Sequence, residues 1–329
     1  MSIFHLISRR YNRRKLLLGG LAGGLASVAA SAKANIPQSA WNVVRDGWQS
    51  SPFGAEDNIG AANLLTSQNV SRALTVPQSG KVVSLGLPLN ENAPGFPPRK
   101  FTHYLIQNIG TDASNHDDFI NASLNVGTQI DGLAHLGVDG EFYNGNRSEN
   151  FVGMEGLKQL GSEHIPPMVT RAVLLDMVAL KGRQMKGGEV ITVLDIEEAL
   201  ENQQLSTLER GDIVLFHTGW MDYWRAGEDI YWKEEPGIGI EAARWLAERG
   251  VVAVGNDTSR LEADPFEEEG LFFPVHQILL AENGVYILEN INTQTLIDAN
   301  ATNSPFLLII APLPITGASQ TWINPIAVL

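Results

Sequence analysis

From residue 170 onward the hydrophobic positions fall into two alternating kinds of segment. Five continuous apolar runs predict strands covered on both faces: RAVLLDMV (171–178), GDIVLFHTGW (211–220), VVAVGND (251–257), VYILENI (285–291) and PFLLIIAPLPI (305–315). Between them lie segments of helical spacing: TVLDIEEALENQQL (192–205), GIEAARWLAERG (239–250) and PVHQILLAENG (274–284). Thr192 stands three residues ahead of Asp195, the arrangement of a capping box, and Gly250 and Gly284 close the other two helices. Strands alternating with helices predict an α/β domain rather than a β-sandwich.

Upstream the pattern is weaker. Residues 35–80 read as an irregular lead-in with one helix around Ser67–Leu74, and KVVSLGLPL (81–89) reads as a strand. The stretch 90–118 is rich in Pro, Gly, Asn and Asp and reads as a long loop holding one strand, HYLIQNI (103–109). No internal repeat or Pro/Ser-rich linker divides the chain, so residues 81–329 are expected to form one domain.

One segment breaks the apolar pattern in a chemically pointed way. In NVGTQIDGLAHLG (125–137) an amide, a carboxylate and an imidazole sit among glycines and small apolar residues. In an extended strand Asn125, Gln129 and Asp131 share a face, and His135 follows Asp131 at a helical spacing of four. A strand running into a short turn would bring these four groups to one point, as a metal or catalytic site requires. The alternative is a polar loop with a satisfied core histidine.

Composition narrows the chemistry. The 329 residues contain no cysteine, which excludes disulfides, thiolate ligands and a cysteine nucleophile; any metal must be held by His, Asp, Glu or amide oxygen. The first 34 residues have the layout of an export leader: a basic start, an apolar run from Leu16 to Ala32, and Ala32-Lys33-Ala34 at the end. Arg13-Arg14-Lys15-Leu16-Leu17 fits the twin-arginine pattern, so the mature protein is expected in the periplasm. The leader holds six of the 23 Lys and Arg and no acid, leaving 17 bases against 37 acids, a net of −20. Such a surface disfavours nucleic acid and anionic membranes and leaves a small molecule as the expected partner.

Four further segments make the chain resemble the cyclase family of metal-dependent hydrolases, which includes bacterial kynurenine formamidases and isatin hydrolases. GTQIDGLAHLG is similar to the family's H-x-G-T-H-x-D-x-x-x-H signature; GDIVLFHTGW, GIEAARWLAERGVVAVGNDT and FPVHQILLAENGVYILENI match later family segments in order, and APLPITGASQTWINPIAVL matches the terminal strand pair. The resemblance implies a single-domain α/β sandwich with a mixed sheet flanked by helices, assembled as a homodimer or homotetramer. It also implies a divalent metal cofactor, zinc or manganese, and hydrolysis of a C–N bond (amide, formamide, cyclic amide) or C–O bond (lactone, ester) in a small carbonyl compound. Aligned on Gly127-Thr128 and Asp131, the two leading family histidines fall on Asn125 and Gln129. Asp131, His276 and Glu289 are then the metal ligands, with Gln129 and Asn125 where imidazoles are expected, and His135 moves the proton. Amide oxygen is a weak, hard, neutral ligand, so the substitution favours one ion over two. His103, His116 and His217 are alternative ligands, and the tryptophans at 41, 48, 220, 224, 232 and 245 are candidates for lining an aromatic pocket. The solvated run Glu267-Glu268-Glu269 is assigned no chemistry. Two other readings stay open: a metal-free periplasmic binding protein or inactive relative, and an acid/base cyclase or isomerase using Asp131 and His135.

Export is directly testable. Changing Arg13 and Arg14 to lysine should leave the precursor in the cytoplasm, seen by fractionation; normal maturation of that variant through the general secretory route would contradict twin-arginine export.

Overall fold

The computed structural model describes residues 50–329; the segment expected to be an export leader, Trp41 and Trp48 lie outside the described residues. Among the described residues no helix is long and apolar enough to cross a membrane.

The apolar runs become one nine-stranded mixed sheet. In chain order its strands are β1 (Val82–Ser84), β2 (Gln129–Asp131), β3 (Met168–Asp176), β4 (Ile213–His217), β5 (Ala253–Asn256), β6 (Tyr286–Glu289), β7 (Phe306–Ile310), β8 (Gln320–Trp322) and β9 (Ile326–Val328). Across the sheet they run β1-β9-β7-β3-β4-β5-β6-β2-β8. The centre, β3 to β6, is parallel. Its residues are buried almost throughout, which is why these strands read as unbroken apolar runs instead of alternating ones. β7, β9 and β1 extend one side and β2 and β8 the other, all antiparallel.

The helices sit close to where their spacing puts them: α1 (Ser67–Ala73), α2 (Val193–Asn202) and α3 (Ile240–Glu248). Thr192 and Asp195 form the capping box, with Asp195 N–H donating to Thr192 and Thr192 N–H to Asp195. Ile196, Ala199 and Leu200 of α2 and Ala242, Ala243 and Leu246 of α3 are buried in the core. The third helical segment begins as α4 (Pro274–His276) and continues as a π-helix over Gln277–Glu282. The acidic run supplies a cap: Glu267 accepts from the Ile240 N–H at 2.8 Å.

Two expectations are corrected. The 81–89 strand is only three residues long, Val82–Ser84; past it Leu85 N–H donates to Pro325 O and Leu87 N–H to the Thr128 hydroxyl, outside the ladder. The 90–118 loop is no loop over much of its length: Phe101–Ile109 and Ser114–Ala122 pair as an antiparallel hairpin, nine residues a side. The second strand, SNHDDFINA, is rich in Asn and Asp, which strands disfavour, so its local composition hid it. Hairpin pairing with the more apolar strand Phe101–Ile109 overrode that composition.

The turns after β4 and β5 interlock. Asp257 accepts from the Thr218 and Gly219 N–H groups and the Thr218 hydroxyl, tying the end of β4 to the end of β5. His217 is buried at that strand end, its Nδ1 2.8 Å from Thr293 Oγ1.

Candidate metal centre

β2 is three residues long, yet it sets the site. A strand's side chains alternate, so Ile130, fully buried, enters the core while Gln129 and Asp131 point to the opposite face. Burying Ile130 contributes about 1.5–3 kcal/mol, and a one-residue slip would reverse both faces. Thr128 fixes the register from the side: its hydroxyl donates to Asn290 O at 2.8 Å and accepts from Leu87 N–H at 2.9 Å. Gly132 allows the strand to lie against β8's approach, because a Cβ there would come 2.8 Å from the Ser319 carbonyl oxygen. The chain then turns, with His135 N–H donating to Gly132 O, and swings His135 back over Asp131.

The neighbouring strand brings Glu289, the last residue of β6, directly opposite Gln129 in the ladder. It stands at the carboxyl end of the parallel strands, the usual place for ligands in such sheets. α4 brings His276. Glu262 holds both the start of that helix and the imidazole: its carboxylate accepts from Val275 N–H at 3.1 Å and His276 N–H at 3.0 Å, and lies 2.6 Å from His276 Nδ1. Pro274 occupies the first helical turn, and Phe273 before it takes a left-handed backbone (φ 50°) that presses its ring edge-on to His276, 4.9 Å between centroids.

With Nδ1 committed to Glu262, Nε2 of His276 faces the other acids: 3.8 Å from Asp131 Oδ2 and 3.5 Å from Glu289 Oε1. His135 Nε2 lies 3.9 Å from the same Asp131 oxygen. One donor atom each from Asp131, His135 and His276 falls within 4.8 Å of the others, the spacing of ligands around a single ion. Asp131 is fully buried, and its Oδ2 has no hydrogen-bond donor among the described residues. A carboxylate oxygen so enclosed, facing two imidazole nitrogens, suits a cation. The carboxylate–histidine arrangement of Glu262 and His276 is the kind that orients a metal-binding imidazole.

The electrostatics agree. Burial disfavours an imidazolium at His276, but the Glu262 and Glu289 carboxylates outweigh it and raise its pKa to about 10, so Nε2 sits where positive charge is stabilised. His135 goes the other way: burial, helped by His276 and Arg99 and opposed by Asp131, pushes its pKa down and keeps the ring neutral. Burial and the Asp131 charge raise Glu289 to about 8, against the pull of His276.

Gln129 does something its position in the sequence did not suggest. Its amide nitrogen donates to Glu289 Oε2 at 2.9 Å and, more weakly, to Asp131 Oδ1 at 3.3 Å, bridging the two carboxylates; its oxygen Oε1 has no partner among the described residues. Asn125 lies before β2, on the cavity wall. The fold thus gathers Asn125, Gln129, Asp131, His135, His276 and Glu289. It does not bring in His103 or His116, which are on the exposed hairpin beside Asp118 and Gln107, nor His217.

Above these groups opens a cavity of about 520 Å³ with Phe96, Trp232, Phe266, Phe272 and Phe273 in its walls and Arg99, Lys233 and Arg260 among its polar groups. Of the described tryptophans only Trp232 lines it; Trp220 is in the core and Trp245 stacks under Arg249, 3.3 Å from the ring centroid. Glu262, Arg99 and Arg260 were missed in the sequence, where no spacing marks them.

A family model described as "Putative cyclase" matches residues 83–263. A crystal structure of a novel cyclase superposes with a TM-score of 0.76 at 32% identity, covering 84% of this chain and 98% of that one. Isatin hydrolase A from Ralstonia solanacearum shares the fold at TM-score 0.59 and 21% identity, over 75% of this chain and 91% of that one. An isatin hydrolase bound to the product analogue thioisatinate does so at 0.58 and 18%, over 80% and 99%. No curated protein matches the chain significantly. With its sheet, its ordered segments and this degree of identity, the chain belongs to the cyclase family.

Proposed function

We propose that the protein is a metal-dependent hydrolase that opens an amide, cyclic amide or lactone bond of a small aromatic carbonyl compound. The observation that carries this reading is the buried, donorless Asp131 Oδ2 facing two imidazole nitrogens on the floor of an aromatic cavity. Asp131, His135 and His276 would hold the ion. A divalent ion there supplies Lewis acidity to the carbonyl and makes water a stronger acid near neutral pH.

The remaining chemistry belongs to the protein's own groups. Glu289 lines the cavity beside the three ligands, and the Gln129 amide fixes its Oε2, leaving Oε1 as the atom to take a proton from water and return it to the leaving group. The aromatic walls orient a flat substrate and keep bulk water away. Glu262 keeps His276 in one tautomer and one orientation. Isatin, named for two structures of this fold, has the required cyclic amide and fits the class. His135, a quarter exposed at the cavity edge, also supports a second assignment, in which it carries the proton and Glu289 binds the ion.

Chelator-stripped protein should lose activity on isatin, N-formyl aromatic amines and aromatic lactones, followed by absorbance, and regain it with zinc or manganese. Undiminished turnover in fully stripped protein would rule out the metal mechanism. His135→Gln should lose the ion, whereas Glu289→Gln should keep it and lose about 10²–10⁴ in turnover; the reverse pattern would favour the second assignment.

Metal affinity should also depend on pH. Loading must displace the proton that Glu262 and Glu289 stabilise on His276, so apparent affinity rises with pH below about 10, about tenfold per unit for one displaced proton. Glu262→Gln should cost about 10–100-fold in affinity by chelator competition. A flat pH profile would mean that the ion displaces no proton from His276.

A further inference from the structure

The chain carries 37 acids against 23 bases, yet the cavity wall above the metal site holds three cations, Arg99, Lys233 and Arg260, and one acid, Asp264. Two of the three cations are occupied. Arg260 is bound to Asp264, donates to the Trp232 carbonyl at 2.6 Å and lies over the Phe96 ring, 5.1 Å from its centroid, bracing the aromatic wall. Lys233 is largely exposed and stands 3.9 Å from Asp229. The Arg99 side chain has neither a hydrogen bond nor an ion pair among the described residues.

The backbone fixes where that free guanidinium stands. Residues 96–99 form a turn closed by Arg99 N–H donating to Phe96 O at 3.0 Å. The turn is tied on both sides to the segment that enters β2: Gly127 N–H donates to Pro94 O at 2.6 Å, and Ser123 N–H to Lys100 O at 3.0 Å. Gly95 lies against Val126, where a Cβ would come 2.7 Å from the Val126 side chain. Asn125 stands between the two anchors and lines the same cavity, and its amide also has no hydrogen-bond partner among the described residues. Arg99 is near enough for its charge to act on the His135 ring. A guanidinium fork and an amide donor, both unpaired and held on neighbouring segments, match the two oxygens of one carboxylate.

We propose that Arg99 and Asn125 form a carboxylate-recognition site inside the catalytic cavity, so that the substrate is an aromatic carbonyl compound bearing a free carboxylate away from the bond that is opened. The bond opened rests on the hydrolase reading; the carboxylate rests on the unpaired Arg99 and Asn125. A zwitterion fits less well. Asp264 is taken by Arg260, Glu289 by Gln129, and Asp131 faces the imidazoles, so no acid of the cavity is left for an ammonium. A neutral ring leaves the guanidinium unused. The cations of the wall also draw an anion inward against the repulsion of an acidic chain.

Carboxylate-substituted isatin and methyl-substituted isatin share the scissile bond and differ in charge. The ratio of their kcat/KM values should fall about 10–100-fold in Arg99→Gln, through KM and not kcat. It should recover in part in Arg99→Lys, which keeps the charge without the fork. A ratio unmoved by both substitutions, with turnover intact, overturns the carboxylate site and leaves the hydrolase reading. Calorimetry gives a readout free of turnover, in zinc-loaded and metal-stripped protein alike. Phenylpropanoate should bind more tightly than phenylalanine or phenyl phosphate, and Arg99→Gln should weaken it about 10–100-fold. Arg99-dependent binding without turnover of any substrate keeps the site and removes the hydrolase reading. Binding indifferent to Arg99, or tighter binding of phenyl phosphate, overturns the carboxylate assignment.

Discussion

Three carboxylates withdrawn from water around one imidazole impose the constraint on which the site depends. Asp131, Glu262 and Glu289 are all buried, and all lie within 4 Å of His276. Burying an unpaired carboxylate costs several kcal/mol, so this cluster is relieved by positive charge at its centre or by a proton on Glu289, whose pKa burial and Asp131 raise. A proton on His276 supplies one charge, and a divalent ion supplies two. The scaffold spends its hydrogen bonds accordingly: Glu262 is saturated by two backbone N–H groups and the ring, Glu289 is held by Gln129, and Asp131 alone keeps a bare oxygen.

The sheet explains how such distant residues meet. The antiparallel strand β2 inserts beside β6, placing its first residue, Gln129, against Glu289 at the carboxyl end of β6, while α4 supplies His276. In this arrangement the Gln129 amide performs with a dipole part of what a cation would do, drawing two carboxylates together. That accounts for how the chain accommodates a glutamine among buried carboxylates, and it leaves Asp131, His135 and His276 as the group spaced for one ion.

Much of this was legible in the sequence, for identifiable reasons. The central parallel strands are buried on both faces and therefore read as continuous apolar runs, and Thr192 and Asp195 announced their helix. The ordered motifs pointed to Asp131, His276, Glu289, Gln129 and Asn125 as ligands and to His135 as the proton carrier. The fold gathers all six, although its geometry favours His135 rather than Glu289 beside the ion. What escaped has equally physical causes. Glu262 acts through a turn and a helix start that no periodicity encodes. Gln129 was visible, but which end of its amide meets the acids depends on Glu289 lying opposite it. The second hairpin strand carries loop-like Asn and Asp, so only its pairing with Phe101–Ile109 reveals it.

X-ray absorption at the metal edge of the zinc-loaded protein tests the central claim most directly, because it counts imidazole ligands without reference to turnover. The account predicts two imidazoles, from His135 and His276, alongside carboxylate oxygen, with one imidazole lost in His135→Gln. A single imidazole in the parent protein, unchanged in that variant, would contradict it.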